Sequence, residues 1–248
     1  MEKFEWHIVK LSETTSTNTY ISELDNTDRL PQGCVVVTHT QSAGRGQRGN
    51  SWEAAPGENL TFSYLLRPHG VHPSEQFILS QAAALAVVDV LSSYADGFSV
   101  KWPNDIYYRD SKIAGILIEH SLSGQHIDRT IVGIGLNINQ QRFVSDAPNP
   151  ISLTQITSEQ YNLDVILSEI LMATSVRYAM CYCDRERLQS DYASVLYRRE
   201  GFHTYRDAKG EFDAVIKEVG ADGYLVLQDQ EGVARSYAFK EVAFVIKM

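Results

Sequence analysis

The sequence predicts an α+β fold in which a large mixed domain is followed by a small β-barrel. Up to about residue 197, strand-like runs and helical stretches follow one another without the regular strand–helix alternation of α/β proteins. After Glu200 the chain turns to short alternating runs separated by Gly-containing turns, among them Glu211 to Lys217 and Gly223 to Leu227. About fifty residues of this kind indicate a small β-barrel. We therefore expect one domain over residues 1–197 and a second over residues 198–248.

The elements of the large domain follow from hydrophobic spacing, β-branched runs and capping residues. The predicted strands are His7 to Leu11, Val35 to Thr38, Asn59 to Leu66, Ser99 to Trp102, Ile106 to Tyr108, Lys112 to His120 and Thr130 to Asn139. Helices are predicted after the caps Ser16 and Asp164, from Pro73 to about Tyr94, and near Leu188 to Leu196. The helix that begins at Pro73 is apolar on more than one face, so we expect it to be buried centrally.

Composition excludes several classes of protein. The net charge is -9, from 31 acidic and 22 basic residues, which argues against a protein that mainly coats nucleic acid or anionic membrane. The three cysteines, Cys34, Cys181 and Cys183, form no disulfide framework and fit a reducing compartment. The N-terminus lacks a signal pattern, and Phe77 to Leu91 is judged too short to span a bilayer. We expect a soluble, cytoplasmic protein.

A glycine- and arginine-rich loop is the first candidate binding segment. Residues 44–49 read Gly-Arg-Gly-Gln-Arg-Gly after a predicted strand, which matches the dinucleotide-binding fingerprint by letter. That fingerprint needs a helix starting inside it, whereas loop residues continue here to Gly57, so we reject it. Glycines expose backbone N–H groups, and arginines suit phosphate or carboxylate. The alternative is a surface loop with solvated arginines; Trp52 in the same loop favours ligand binding.

Two further segments place lysines beside small or polar residues. Lys101 to Asp105 holds a cation, an indole, an amide and a carboxylate, although an ordinary strand-to-turn junction with Trp102 in the core explains it equally well. Ile113 to Ile118 is a continuous apolar run, which predicts a strand buried on both faces. Lys112 directly precedes this run. Gly115 lies within it, and a glycine within a strand suggests the close approach of a ligand. The alternative is a solvated lysine and a β-bulge.

The segment from Gly133 to Asn139 repeats this pattern. Alternation places Gly133, Gly135, Asn137 and Asn139 on one face, which leaves room and hydrogen-bonding groups for a polar ligand; a polar outer face is the alternative. The candidate segments together concentrate four cations in an acidic protein: Arg45, Arg48, Lys101 and Lys112. Such a concentration suits a nucleoside triphosphate and a carboxylate substrate.

Taken in order, these segments resemble the biotin protein ligase family. The resemblance rests on Ser16-Thr17-Asn18, Gln41 to Trp52, Lys101 to Asp105, Lys112 to Glu119 and Gly133 to Asn137, and it extends over the whole chain. It implies a mixed-sheet catalytic domain of the class II aminoacyl-tRNA synthetase-like, biotin/lipoate ligase type and an SH3-like C-terminal barrel. It also implies the monofunctional type, because the chain begins almost at the catalytic domain without a DNA-binding helix-turn-helix.

The resemblance implies roles for individual residues. The biotin site would contain Ser16, Thr17, Asn18, Gln41, Gly44, Arg45, Gly46, Gln47, Lys112 and Gly115. The ATP site would contain Arg48, Trp52, Lys101, Asn104, Asp105 and Asn137. Lys112, Arg45 and Arg48 would stabilise charge in the transition state. Gln47 and Asn50 depart from the family, in which arginine is common at both positions, so Arg48 or another cation is expected to take over that charge.

The implied reaction joins biotin to ATP with Mg²⁺, releases pyrophosphate, and passes biotin from biotinyl-5′-AMP to a lysine. The expected partner is the biotin carboxyl carrier protein of acetyl-CoA carboxylase or a related carboxylase, with no nucleic acid or membrane partner and no metal-binding residues. The oligomeric state stays open, a homodimer included. Two alternatives remain: a lipoate or octanoate ligase of the same fold, and a non-catalytic biotin-binding regulator.

Overall fold

A computed structural model describes residues 5–46, 51–144 and 149–246. The strands of the first sheet are β1 (His7–Thr14), β2 (Cys34–Gln41), β3 (Leu60–Leu66), β4 (Phe98–Lys101), β5 (Asp105–Tyr108), β6 (Ser111–Ser123) and β7 (His126–Leu136). The strands of the second sheet are β8 (His203–Asp207), β9 (Gly210–Val219), β10 (Leu225–Asp229), β11 (Ala234–Tyr237) and β12 (Ala243–Phe244). The helices are α1 (Thr17–Asp28), α2 (Phe77–Leu91), α3 (Leu153–Thr157), α4 (Leu163–Cys183) and α5 (Arg185–Ser194).

The first sheet is mixed and seven-stranded, which confirms the predicted α+β class. Its strand order is β1-β2-β3-β7-β6-β5-β4, with β1 and β2 parallel and the other neighbours antiparallel. Helix α2 packs against α4, α5 and strands β4 to β6 on one face, whereas α1 packs against β2, β3 and β7 on the other. The helices thus leave the α1 face of β6 and the adjoining part of β7 open for a site.

The helix α2 is central, as predicted. Its residues are almost all buried, including Leu79, Ala84 and Leu85, because apolar residues surround the helix instead of forming one stripe. The hydrophobic cluster that contains α2 also includes Ile134 of β7 and Leu167 of α4. Burial on all sides fixes the position of the sheet from which the candidate site residues project.

The predicted C-terminal β unit is a five-stranded antiparallel sheet in the order β11-β10-β9-β8-β12. It is joined to the first sheet by a shared hydrophobic cluster that includes Tyr205 and Leu225. The Trp102 indole N–H donates a hydrogen bond of 3.0 Å to the Gly223 carbonyl oxygen, and its ring lies 6.1 Å from that of Phe239. Trp102 is therefore a core residue at the junction of the two sheets. The division near residue 197 stays a prediction.

Three local features differ from the sequence predictions. The strand β8 and the short helix α3 were not predicted, because neither has a long periodic pattern. The helix α4 is capped by the Asn162 side chain, which accepts from the Asp164 N–H, so the predicted cap Asp164 lies in the first turn instead. A carboxylate there still interacts favourably with the helix dipole.

Two helical stretches are long and apolar enough to cross a membrane by length and composition. They are Pro73–Leu91, with 19 residues and a mean hydropathy of 1.3, and Leu163–Cys183, with 21 residues and 1.2. The segment judged too short, Phe77–Leu91, has 15 residues, and the 3₁₀ turn at Pro73–Glu75 extends the helical stretch beyond those bounds to 19. In the first stretch 72% of the apolar window is buried inside the protein, which is the pattern of a core helix.

Candidate active site

The floor of the candidate site is built from small residues that strand register places side by side. Thr61 of β3 pairs with Gly135 of β7, which pairs with Gly115 of β6, and Gly115 pairs with Asp105 of β5. In the next row Ser63 pairs with Gly133. Paired residues project from the same face, so these rows form a depression on the α1 face of the sheet. The resulting cleft has a volume of about 890 Å³.

The cleft brings together most of the residues predicted for the site. It is lined by Ser16, Thr17, Asn18, Gln41, Arg45, Gly46, Trp52, Lys101, Asn104, Asp105, Lys112, Gly115 and Asn137. Gly44 does not line it; its carbonyl accepts from the Trp52 N–H at 3.1 Å and closes the loop. Gln47 and Arg48 lie outside the described residues. Segments that are distant in sequence therefore form one cavity.

One end of the cleft carries a buried network of amides and hydroxyls. The Gln41 Oε1 atom accepts from the Thr17 N–H at 2.8 Å and from the Thr17 hydroxyl at 3.2 Å. The Ser63 hydroxyl lies 2.6 Å from both Thr17 Oγ1 and Asn18 Oδ1. Thr17, Asn18 and Ser63 are at most 3% exposed. The side chains of this network are neutral, and at its edge the Asn18 Nδ2 atom donates to the Glu119 carboxylate at 2.7 Å.

Arg45, in the first part of the glycine loop, contacts the sheet through an ion pair with Glu119 of β6. The two guanidinium NH groups of Arg45 donate to the two oxygens of Glu119 at 3.2 and 3.1 Å, a bidentate pair. The backbone of Arg45 forms an antiparallel bridge with Ser51 on the returning side of the loop. A Cβ on Gly44 would lie 2.8 Å from the Trp52 carbonyl oxygen, so only glycine allows this close approach.

The glycines of β6 and β7 accommodate protein side chains in this structure. A Cβ on Gly135 would lie 2.2 Å from Cε2 of Trp52, and one on Gly133 would lie 2.2 Å from Oδ1 of Asn18. The sequence interpretation, that these glycines leave room for a ligand, is thus refined, because Trp52 and Asn18 take up that space and line the cleft themselves. The buried Trp52 Nε1 atom has no hydrogen-bond partner among the described residues.

Lys112 is directed into the cleft and not into solvent. Its Nζ atom lies 2.6 Å from Oδ1 of Asp105 and 5.8 Å from the centroid of the Trp52 ring. Its backbone is held by hydrogen bonds to Asn149 and Ile151.

The register between β5 and β6 shifts near Lys112, and a Cβ built on Gly115 would lie 3.4 Å from Cε and Nζ of Lys112. The β-bulge lies at Ile113, between the paired residues Lys112 and Ala114, and not at Gly115, which pairs with Asp105. Lys112 itself lines the cleft, and its function stays a prediction.

Lys101 lies at the junction with the second sheet. Its Nζ atom stands over two rings, 5.2 Å from the centroid of Tyr107 and 5.0 Å from that of Phe244. Burial lowers the pKa of the Lys101 ammonium, because desolvation penalises the charged form; nearby Asp105 opposes this shift, and Lys112 and Arg198 add to it. A desolvated ammonium of this kind favours an incoming anion.

We expect Lys101→Met to raise the free energy of unfolding at neutral pH. The lowered pKa means that the folded protein holds the Lys101 proton less tightly than the unfolded chain does. The residue therefore costs stability below its folded pKa, and the cost disappears as the pH rises to the ordinary value of 10.5. Urea unfolding should show a gain that shrinks from neutral pH towards 10.5, with exposed Lys217→Met as the control. A gain independent of pH would contradict charge burial as its cause.

The two asparagines have different environments. The Asn104 side-chain amide donates to the Ile116 carbonyl oxygen and so braces the turn between β4 and β5. The Asn137 amide donates to the Ile151 carbonyl oxygen at 3.1 Å, while its buried Oδ1 atom has no partner among the described residues. A buried acceptor without a partner is costly, so a ligand that donates to Asn137 would relieve that cost.

Sequence reasoning missed several contributors. Glu119 pairs with Arg45, Thr61 lines the cleft, and the buried Ser63 hydroxyl contacts Thr17 and Asn18. The segment after β11 also reaches the cleft and lines it with Phe239, Lys240, Val242, Ala243 and Phe244. Polar residues in the buried strand β3 were a usable signal, since buried hydroxyls need partners. No local sequence pattern predicts that residues 239–244 reach the cleft.

Two further expectations are corrected. The run Ile113 to Ile118 is not buried on both faces, because Gly115 and Leu117 face the cleft and are only partly buried. Asn139 does not line the cleft; its side chain donates to the Tyr161 carbonyl oxygen at 2.9 Å and accepts from the Tyr161 N–H and the Thr154 hydroxyl. The strand β7 ends at Leu136, so the predicted alternation does not extend to Asn139.

Residues 5–46, 51–144 and 149–246 contain no group of three or more His, Cys, Asp or Glu side chains that could hold a metal ion. The acidic side chains that line the cleft in these ranges are Glu53 and Asp105, and Asp105 is paired with Lys112. The arrangement offers cations and neutral hydrogen-bonding groups, which suit an anionic ligand joined to a polar neutral one.

Comparisons with known proteins agree with this chemistry. A profile of the biotin/lipoate A/B protein ligase family matches residues 11–137. The bifunctional ligase/repressor BirA of Escherichia coli is 30% identical over 236 residues, 92% of this chain and 71% of that protein. The biotin–[acetyl-CoA-carboxylase] ligase of Paracoccus denitrificans is 38% identical over 131 residues, 52% of this chain and 53% of that protein.

Among solved structures, the biotin protein ligase from Aquifex aeolicus in complex with biotin and ATP has the same fold. Its TM-score is 0.78 at 24% sequence identity, covering 97% of this chain and 99% of the other. The fold match includes the C-terminal sheet because it spans almost the whole chain. With a family profile over half of its length and a relative 30% identical across most of it, the chain belongs to the biotin/lipoate A/B protein ligase family.

Proposed function

We propose that this protein is a biotin–[acetyl-CoA-carboxylase] ligase. It activates biotin with ATP to biotinyl-5′-AMP and transfers biotin to a lysine of a biotin carboxyl carrier protein. The observation that carries the proposal is the single cleft with two chemically different ends. One end holds the neutral network of Thr17, Asn18 and Gln41, and the other holds the cations Lys101 and Lys112.

The neutral end supports biotin over lipoate or octanoate. A ureido group has both N–H donors and a carbonyl acceptor, which complement amide and hydroxyl side chains. A dithiolane ring or an alkyl chain offers neither a donor nor an acceptor to the side chains of Thr17, Asn18 and Gln41 that line this end. Sites built to hydrogen-bond a ligand reject analogues that lack those groups, because the buried groups are left unpaired.

The cationic end supports ATP. Lys101 and Lys112 supply positive charge. The Asn137 Oδ1 atom, which has no partner within the described part of the chain, suits a donor such as an exocyclic amine of a base. Mg²⁺ would be held by the phosphate oxygens of ATP and by water, with Asp105 or Glu53 in reach of the cleft, and it would neutralise phosphate charge. A dedicated protein cluster is not needed for such a metal.

The residues support the chemistry by handling charge and excluding water. In the first step a carboxylate oxygen of biotin attacks the α-phosphorus of ATP, and the bond to pyrophosphate breaks. Lys112 lies where it can exchange Asp105 for the carboxylate and the phosphate, whose negative charges it would offset. In the second step the acceptor amine attacks the activated carbonyl, AMP leaves and the nitrogen loses a proton. Arg45, Gly46 and Trp52 line the cleft and would shield the anhydride from water.

The proposal is tested by measuring which acid supports ATP–pyrophosphate exchange. Biotin should support exchange, and lipoate and octanoate should not. Labelled biotin, ATP, Mg²⁺ and a biotin carrier domain should then yield labelled carrier. Exchange with lipoate or octanoate alone would replace this proposal with the related ligase, and biotin binding without exchange would replace it with a non-catalytic regulator.

The remaining assignments are proposals of the same kind. A carrier protein in the cytoplasm is the acceptor, and nucleic acid is not a partner because the net charge is -9. Arg48 supplies transition-state charge in place of an arginine at position 47. All described residues that line the cleft come from one chain. Sedimentation of the purified chain will establish whether it forms a homodimer.

A further inference from the structure

Glu119 connects two parts of the cleft that are far apart in sequence. Its carboxylate accepts hydrogen bonds from both guanidinium NH groups of Arg45, in the glycine loop, and from Nδ2 of Asn18, in α1, at 2.7 Å. Glu119 itself lies on β6, opposite Ile131 of β7. A single side chain therefore ties a loop and a helix to a strand of the sheet.

Glu119 acts on the cleft through its partners. Arg45 and Asn18 both line the cleft, whereas Glu119 does not. The side chains of Arg45 and Glu119 are 45% and 40% exposed, so solvent screens the pair and its contribution to global stability is small. Its bidentate geometry nevertheless fixes the direction of the guanidinium group. The pair is therefore suited to positioning and not to holding the fold together.

Glu119 also determines the orientation of the Asn18 side-chain amide. An ionised carboxylate only accepts hydrogen bonds, so it selects the NH₂ group of Asn18 and leaves Oδ1 beside the Ser63 hydroxyl. The carbonyl of Leu117 accepts weakly from the same NH₂ group at 3.4 Å. A neutral glutamine at position 119 could donate as well as accept, and it would then satisfy either orientation of the amide.

We propose that Glu119 is a positioning residue of the ligase: it holds Arg45 in place and sets the amide orientation of Asn18 at the acid-binding end of the cleft. The kinetic consequences rest on the proposed function. The structural consequences do not rest on it: they are a fixed Arg45 side chain and a fixed Asn18 amide.

The first test measures how easily Arg45 leaves its contacts, and it needs no substrate. Trypsin cleaves after Arg45 only when that residue leaves its bridge and ion pair, so the cleavage rate reports the open population. Glu119→Gln in the full chain should raise the rate of cleavage after Arg45, identified by mass spectrometry, about tenfold. Glu211→Gln removes the charge from an exposed Arg206–Glu211 pair in the second sheet and should leave the rate unchanged. An unchanged rate in Glu119→Gln would overturn the anchoring role.

The second test separates binding of the two substrates. Glu119→Gln should raise KM for biotin in pyrophosphate exchange about tenfold and change KM for ATP much less, since its partner Asn18 lies at the neutral end. Glu119→Asp keeps the charge and should recover part of the loss. Equal changes in both KM values, or none, would overturn the proposal. If the wild-type chain shows no biotin-dependent exchange, the proposed function fails, and the trypsin experiment still decides whether Glu119 holds Arg45 in place.

Discussion

Replacing Lys112 with alanine should lower biotin-dependent ATP–pyrophosphate exchange by at least about 10²-fold, the usual effect of removing one group aimed at developing charge. Lys112 Nζ lies within the cleft at 2.6 Å from Asp105, which it can exchange for a substrate anion. Alanine also leaves Asp105 without its partner, so the variant adds a repulsive charge where the phosphates must bind. Initial rates of exchange at saturating biotin measure the effect.

The control for this variant is Lys10→Ala. Lys10 pairs with Asp164 at 2.7 Å on the surface, so its removal deletes a lysine–aspartate pair of similar length away from the cleft. Its exchange rate should match that of the wild type, and far-UV circular dichroism should show both variants folded. Full exchange activity in Lys112→Ala would remove Lys112 from the mechanism.

The substitution Gly133→Ala should raise KM for biotin by more than about tenfold. Sites with fixed hydrogen-bond geometry lose affinity when a partner is displaced. The new Cβ would lie 2.2 Å from Oδ1 of Asn18, and Asn18 is held by Ser63 and Glu119 in a buried position. The amide cannot move aside without breaking those bonds. Biotin titrations followed by exchange rate measure the loss.

The matched control is Gly220→Ala. Its Cβ would lie 2.4 Å from Oδ1 of Asp222, a comparable collision with a side-chain oxygen. Asp222 is exposed, so its side chain can turn into solvent and the cost should be small. Near-normal KM for biotin in Gly133→Ala would mean that Asn18 does not position the acid, and the role given to the neutral network would be withdrawn.

Local sequence was enough to predict much of the candidate site. Lys112 and Asp105 stand at strand ends, where a hydrophobic run meets a turn, and hydrophobic period and turn residues are local signals. Gly44 lies in a loop for the same reason. Local residue types also indicate the segment Lys101 to Asp105, whereas Ser16 to Asn18 are implied only by the family resemblance. Gln47 and Arg48 stay predictions, since they lie outside the described residues.

The sequence alone determined the α+β class, the C-terminal β unit and the chemical character of the cleft, because each depends on residue types and their spacing along the chain. Only the tertiary structure decided that Gly115 and Gly135 share a row, that Trp52 lies on them, and that Phe244 reaches Lys101. These relations depend on strand register and on contacts between residues far apart in the sequence. Pairing of that kind is set by packing of the whole core, which no local pattern contains.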